Sequence, residues 1–214
     1  MQSMTNPDGK IAMDINIQKY KAFLKVVELE SFTRAAETLF YQDGITRVTV
    51  DAIAEKAQST KMTLYRHFAS KEALVLAWIG LLIEDYGQVF DRLAEQFPHE
   101  PTARIRGFGA FLADNLTGTL QRGCPFTNTL AETTGQFPEV RALIFAHKQR
   151  QFQRLVDWCT EAGSAEPQAL AKEITLLLEG LQVVAQNGGF EDPAGFVLEQ
   201  LAIKLDGLTA KNPR

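Results

Sequence analysis

The sequence has few of the residues that build disulfide-rich, metal-binding or membrane proteins. It contains 2 cysteines and 3 histidines in 214 residues. Two cysteines are too few for a disulfide scaffold, which indicates a reducing compartment and predicts a cytoplasmic protein. No stretch approaches about 18 uncharged apolar residues, so no transmembrane helix and no membrane partner are expected. The N-terminal sequence MQSMTNPDGKIAMD lacks the apolar segment of a secretory signal.

The motifs of common catalytic and cofactor sites are also missing. Gly107 and Gly109 lack the third glycine of a dinucleotide loop, and no strand signal precedes them. The sequence has no phosphate-binding lysine loop and no G-x-S-x-G nucleophile turn. Its cysteines and histidines do not cluster at the spacing of metal ligands. The sequence therefore predicts no enzyme activity, no cofactor and no metal site.

The charge is unevenly distributed along the chain. The formal net charge is −4, but residues 44–74 hold five basic and three acidic residues, which gives +2 there and −6 for the rest. A mildly basic segment on an acidic body fits a protein that touches phosphate with one face only.

Apolar residues recur at helical spacing through most of the chain, and strand signals are nearly absent. One helix is predicted from Ser70 to Leu93, with Ser70 as its N-cap. Further helices are predicted over residues 102–116, 138–161, 167–185 and 193–208. The β-branched run at residues 45–50 is interpreted as a loop that enters a helix capped by Thr49. These patterns predict an all-α protein.

Two short helices, residues 49–57 and 61–68, are separated by three residues, as in a helix-turn-helix. Two surface helices of a bundle would have the same spacing. The apolar residues available for packing are Val50, Ile53, Ala54 and Ala57 in the first helix and Met62, Leu64, Tyr65 and Phe68 in the second. The outer face of the second helix would present Lys61, Thr63, Tyr65, Arg66 and His67, which can bond phosphates or base edges.

Residues 40–74 resemble the DNA-binding domain of the TetR family of transcriptional regulators. The shared motifs are T-V-D-x-I-A-x-x-A at residues 49–57, T-L-Y-x-H-F at 63–68 and S-K-E-A-L at 70–74. The sequence R-G-C-P-F-T-N at residues 122–128 also resembles the effector domain of many members. The resemblance implies an N-terminal three-helix helix-turn-helix domain and a larger C-terminal helical domain for effector binding and dimerisation. The predicted boundaries are a disordered extension at 1–15, the DNA-binding domain at 16–73 and the effector domain at 74–214.

The resemblance also implies a function. The expected protein is a homodimeric, ligand-responsive transcriptional repressor, released from a palindromic double-stranded DNA operator by a small-molecule effector. The implied DNA-contacting residues are Thr49, Thr60, Lys61, Thr63, Tyr65, Arg66, His67 and Lys71. The alternative is a helical small-molecule-binding protein with weakened or lost DNA binding.

The turn between the two short helices departs from the family pattern of glycine, a small apolar residue and serine. Here the turn is Gln58, Ser59 and Thr60. Glutamine at a positive φ angle costs on the order of 1 kcal/mol more than glycine, so the turn is expected to be looser or to have another geometry.

Residues 16–39 also resemble the start of LysR-type regulators, whose first helix ends in S-F-T-x-A-A-E-x-L. That resemblance stops at Leu39. In either family the segment is the first helix, packed behind the helix-turn-helix. Because Ser31 can cap a helix that begins at Phe32, residues 16–30 are open to interpretation as a separate helix.

The larger domain is rich in aromatic residues, which suit an apolar ligand pocket with a few polar groups. The candidate ligand-binding residues are Tyr86, Phe90, Phe111, Asn115, Phe126, Asn128, His147 and Trp158. Each of them is also explained by a core or capping role. The penultimate helix has a broad apolar stripe that suits either dimerisation or burial within the chain, formed by Leu170, Ile174, Leu177, Leu178, Leu181 and Val184.

Overall fold

The computed structural model describes the backbone of residues 11–116 and 122–209, and the side chains of residues 24–116 and 122–208. Within these ranges the chain forms nine α-helices and no strand, which confirms the predicted all-α fold. The helices are α1 (Ile11–Asp43), α2 (Val50–Lys56), α3 (Lys61–His67), α4 (Lys71–Gln96), α5 (Pro101–Asn115), α6 (Pro125–Glu132), α7 (Pro138–Glu161), α8 (Pro167–Asn187) and α9 (Pro193–Thr209).

Local signals explain most of the helix ends. The Ser70 hydroxyl accepts a hydrogen bond from the Ala73 backbone N–H at 3.1 Å, so Ser70 is the predicted N-cap of α4. Proline occupies the first turn of α5 to α9, where its missing N–H leaves no hydrogen bond unmade. Helix α6 was not predicted, because its 8 residues are too few to display a clear apolar period.

Helix α1 is one continuous helix of 33 residues, so the interpretation of residues 16–30 as a separate helix is wrong. Ser31 lies inside it, and no proline or glycine interrupts the segment. Phe32, Ala36 and Phe40 share one buried face at helical spacing. The helix begins at Ile11, inside the segment predicted as a disordered extension (1–15).

Helix α4 connects the N-terminal helices to the rest of the chain. It packs against α1, α5 and α7, while α7 packs against α8 and α5 against α9. The buried apolar residues form one continuous cluster, from Phe32 in α1 to Leu205 in α9. The segment that carries the helix-turn-helix is therefore anchored on the larger helical body through α1 and α4.

Helix α4 is also the one helix in the described ranges that is long and apolar enough to cross a membrane. An 18-residue window in it has a mean hydropathy of 1.4, and 39% of that window is buried. This apolar window was not expected from the sequence. Eight α4 residues, from Leu74 to Leu93, are buried in the protein core, which accounts for its apolar character.

Candidate functional site

Helices α2 and α3 form a two-helix unit that packs on α1. Ile53 and Ala54 of α2 and Leu64 of α3 are fully or almost fully buried. Two of the residues predicted to be available for packing are instead on the surface. Met62 is 78% exposed and Tyr65 is 46% exposed. Leu64 and Phe68, four positions apart, therefore supply the buried side of α3.

Both short helices are capped by threonine. The Thr49 hydroxyl accepts from the Ala52 N–H at 3.2 Å, and the Thr60 hydroxyl accepts from the Thr63 N–H at 3.1 Å. These hydrogen bonds satisfy backbone donors that helices of only 7 residues each would otherwise leave free. The cap at Thr49 confirms the predicted start of α2.

The turn between α2 and α3 keeps a left-handed residue although it has no glycine. Gln58 has a φ angle of 53°. Its N–H donates to the Glu55 carbonyl and the N–H of Ser59 donates to the Ala54 carbonyl, both at 2.9 Å. This pair of bonds is the Schellman ending of a helix, which favours glycine at the Gln58 position. The turn therefore has the regular ending of a helix, and the free-energy cost of about 1 kcal/mol comes from the positive φ angle of Gln58.

Replacing Gln58 by glycine is expected to raise the free energy of unfolding by about 0.5 to 1 kcal/mol, because glycine adopts a positive φ without strain. Urea denaturation would measure the change. The control is Gln58→Ala, which removes the side chain but keeps a Cβ atom, and should give no such gain. Equal stabilisation by both variants would show that the glutamine side chain, not the φ angle, is the source.

The exposed side of α3 carries several of the predicted DNA-contacting residues. Lys61, Tyr65 and Arg66 are exposed there, and Thr60 is exposed at the helix start. The ammonium of Lys61 lies 2.8 Å from the Asp51 carboxylate of α2. The hydrogen bond that Lys61 donates to the Asp51 carboxylate raises the pKa of Lys61, so the lysine stays charged. Met62 also lies on this exposed side, although its helical spacing in the sequence fitted the packed side of α3 equally well.

His67 differs from the other predicted contact residues because its side chain is only 5% exposed. Its Nε2 atom lies 2.7 Å from Oε2 of Glu28 in α1, and its ring lies 6.0 Å from that of Phe32. The structure therefore does not bring the His67 ring together with the exposed face of α3. Its observed contacts tie the end of α3 to α1.

The remaining predicted contacts are Thr63, Thr49 and Lys71, which lie in three different helices or their caps. Thr63 is half-buried, and its hydroxyl lies 2.9 Å from that of Thr60. Thr49 is exposed at the start of α2. Lys71 is partly buried in the first turn of α4, and burial lowers its pKa.

A second group of contacts joins the end of α1 and the following loop to the segment 122–132. Arg122 donates its backbone N–H to the Tyr41 hydroxyl at 2.9 Å, and its Nη1 donates to the Tyr41 carbonyl at 2.6 Å. Arg122 also lies 3.7 Å from Glu132, whose carboxylate accepts from the Thr46 N–H at 3.4 Å. A Cβ atom on Gly44 would lie 2.7 Å from that carboxylate. We call these five residues the Arg122 clasp.

A cavity of about 940 Å³ lies beside the Arg122 clasp. Helices α1, α4 and α5 line it, together with Arg122 and Pro125. Three of the predicted ligand-binding residues, Tyr86, Phe111 and Asn115, are in its wall. The Asn115 amide also donates to the Phe111 carbonyl at 2.6 Å.

The other predicted ligand-binding residues do not line this cavity. Phe126 and His147 pack behind Tyr86, with ring centroids 5.4 and 5.8 Å from it. Phe90 and Trp158 pack on each other in the core, with ring centroids 5.1 Å apart. Asn128 donates to the Arg122 carbonyl. Core packing and backbone hydrogen bonding thus account for these positions.

The helix-turn-helix segment matches a family of known proteins. Residues 32–78 match the family described as bacterial regulatory proteins, tetR family. Residues 32–78 are therefore a helix-turn-helix segment of the TetR family.

Over 71 residues, the chain is 34% identical to the HTH-type transcriptional regulator EthR of Mycolicibacterium smegmatis. The alignment covers 33% of this chain and 33% of that protein, so the chain matches about a third of the length of its curated relative.

Solved structures extend the likeness of the fold to most of the chain. A TetR-family transcriptional regulator from Streptomyces coelicolor is 24% identical, with a TM-score of 0.74 over 86% of this chain and 96% of that one. A regulatory protein TetR from Rhodobacter sphaeroides is 25% identical, with a TM-score of 0.69 over 80% of this chain and 95% of that one. The arrangement of a helix-turn-helix domain and a larger helical domain is therefore that of TetR-family structures.

Proposed function

We propose that this chain is a DNA-binding transcriptional repressor of the TetR family. The observation that carries the proposal is the exposed face of α3, where Lys61 and Tyr65 flank the 78% exposed side chain of Met62. Lysine and tyrosine suit phosphates and base edges, and an exposed apolar side chain suits the methyl group of thymine. Thr49, Thr60, Thr63, Arg66 and Lys71 are proposed as further contacts.

The proposed active form is a homodimer built on α8 and α9. The apolar stripe singled out in the sequence is largely used within the chain, because Ile174, Leu178 and Leu181 are buried. A different set is exposed on the same two helices, namely Leu176, Val183, Phe196 and Ile203. Leu176 and Val183 are seven residues apart, as are Phe196 and Ile203, so each helix exposes an apolar stripe. Two chains paired through these stripes would present two α3 helices to half-sites of a palindromic operator.

The proposed response is release from the operator when a small molecule binds to the larger helical domain. A ligand that binds one arrangement of the two DNA-binding domains better than another shifts the dimer toward that arrangement. Because both α3 helices must meet the DNA together, a small change in their spacing removes much of the affinity.

Fluorescence anisotropy on the DNA directly upstream of the gene would test DNA binding, with scrambled DNA as the comparison and a series of salt concentrations. Sequence-selective binding that persists at physiological salt is the expected result. Equal binding to both DNAs that is lost with salt would mean phosphate attraction alone and would contradict the proposal. That result would favour the second candidate function, which is ligand binding without DNA binding. The observation that favours this alternative is the glutamine at the left-handed turn position, Gln58.

A further inference from the structure

The 940 Å³ cavity lies where the DNA-binding part of the chain meets the larger helical body. One wall is formed by Glu37, Thr38, Tyr41 and Gln42, all from the last turns of α1. The opposite wall comes from α4 and α5. Helix α1 also holds the helix-turn-helix, through its packing on α2 and through the contact of Glu28 with His67. A molecule in the cavity would therefore touch the DNA-binding part directly.

Two of the residues that line the cavity are members of the Arg122 clasp. Tyr41 and Arg122 both face the cavity and are joined by two hydrogen bonds, of 2.9 and 2.6 Å. The clasp continues through Glu132 to the backbone of Thr46, in the loop that leads to α2. Gly44 fits closely against the same carboxylate. A shift of Tyr41 is thus connected, contact by contact, to the start of the helix-turn-helix.

The lining of the cavity indicates the chemistry of its occupant. Four aromatic residues contribute to the wall, namely Tyr41, Trp78, Tyr86 and Phe111. The charged lining residues are Glu37 and Asp85 against Arg92 and Arg122, which sum to zero. Glu37 pairs with Arg34 at 3.4 Å, and Arg122 is engaged in the clasp. The site therefore offers a large apolar contact area and no net charge with which to bind an ion.

We propose that the cavity binds an uncharged, largely apolar aromatic molecule, which acts on Tyr41 and, through the Arg122 clasp, on the loop at residues 44–49. The volume lies within the range of small-molecule sites. The inference rests on the proposed function, for which it names the class of effector and the route by which the effector acts. It extends the predicted ligand site toward α1 and away from Phe90 and Trp158.

Two fluorescent probes that differ by one charged group test the class of ligand. N-phenyl-1-naphthylamine is uncharged and aromatic, and 1-anilinonaphthalene-8-sulfonate is the same molecule with a sulfonate. Saturable binding of the uncharged probe to the free full-length protein at one site per chain is expected. The sulfonate should bind at least about 10-fold more weakly, because its charge loses water at a site whose lining carries no net charge to compensate for it. Absent binding of the uncharged probe, or equal or tighter binding of the sulfonate, would overturn the proposal.

Variants that fill the cavity locate the site. Leu82→Trp and Thr38→Trp add bulk from opposite walls and should each weaken binding of the uncharged probe by about 10-fold or more. Phe145→Trp is the matched control, since Phe145 is 47% exposed and does not line the cavity. Circular dichroism would verify that each variant is folded. Unchanged binding in a folded cavity variant would exclude this site.

Hydrogen exchange tests the route from the cavity to the helix-turn-helix. The uncharged probe should change the amide exchange rates at residues 44–49 by about threefold or more in the wild-type protein. Glu132→Ala leaves the cavity lining unchanged but removes the carboxylate that joins Arg122 to the Thr46 backbone. This variant should still bind the probe and should lose most of the change in exchange. An equal change in both proteins would overturn the role of the clasp.

These measurements use the free chain, so they separate this inference from the proposed function. If the protein binds the uncharged probe and the exchange rates at residues 44–49 change, but it does not bind DNA, the cavity site is supported and the proposed regulator function is contradicted. If the protein binds its operator but not the probe, the proposed regulator function is supported and the cavity site is contradicted.

Discussion

A chain that carries both Lys61→Ala and Tyr65→Ala is expected to bind its operator about 100-fold more weakly than the wild type, since each contact of this kind contributes about 1 to 3 kcal/mol. Both side chains are exposed on α3, and neither is needed for its buried side, which Leu64 and Phe68 form. Loss of the lysine charge should also lower the salt dependence of binding by about one released ion per site. Fluorescence anisotropy over a salt series would measure both effects.

The control for this experiment must separate the lysine charge from the ion pair that the lysine makes. Asp51→Asn removes the negative charge that lies 2.8 Å from the Lys61 ammonium and keeps the lysine available to phosphate, so it should bind DNA at least as tightly as the wild type. Arg150→Ala removes one exposed positive charge on α7, away from α3, and should have little effect. Wild-type affinity in the double variant, or loss of binding in Asp51→Asn, would contradict the assigned role of α3.

The second large effect concerns the dependence of stability on pH, and it comes from His147. This side chain is buried, its Nε2 atom has no hydrogen-bond partner, and its ring lies 4.5 Å from that of Phe126. Burial, with smaller contributions from the charges of Lys148 and Arg150, lowers the pKa of His147 from 6.5 to about 4. The folded protein therefore keeps this histidine neutral at pH values where the unfolded chain protonates it.

The sign of the effect follows from proton linkage. Between the unfolded pKa of 6.5 and the folded pKa of about 4, the unfolded state binds the additional proton, so stability falls as the pH falls. The contribution is fully present above pH 6.5 and is lost as the pH drops toward 4. Between about pH 7.5 and about pH 5 the expected loss is about 2 kcal/mol in the free energy of unfolding.

Urea denaturation at the two pH values, at one fixed protein concentration, would measure this loss. The variant His147→Gln should lack about 2 kcal/mol of the pH dependence, whatever its own stability at neutral pH. His99→Gln makes the same change at an exposed histidine and should retain the wild-type pH dependence. Identical pH dependence in His147→Gln and the wild type would show that His147 is not the source.

Several features of the chain could be predicted because their causes are local. Thr49 and Ser70 cap helices through hydrogen bonds to backbone donors three residues away, so a short sequence window contains both partners. The prolines that begin α7, α8 and α9 act within the first turn. The left-handed position at Gln58 could be anticipated for the same reason, since it belongs to the ending of one helix.

Positions whose environment comes from distant segments could not be predicted in this way. His67 looked like a surface residue of α3, but its partner Glu28 is 39 residues away in α1. Met62 looked like a packing residue, yet no neighbouring helix in the described part of the chain covers it and it is 78% exposed. Helical spacing defines which residues share a face, but it does not define which neighbour covers that face.

The sequence by itself determined the all-α class, the helix-turn-helix and the likeness to the TetR family, because caps, apolar periods and a contiguous motif are all properties of short segments. Only the tertiary structure decided which aromatic residues line a cavity and which fill the core. Tyr86 and Phe111 face the cavity, while Phe90 and Trp158 pack on each other. All four are aromatic residues of long amphipathic helices, so their sequence positions alone do not distinguish them. The Arg122 clasp joins Tyr41 and Arg122, which are 81 positions apart, so no short sequence window contains both partners.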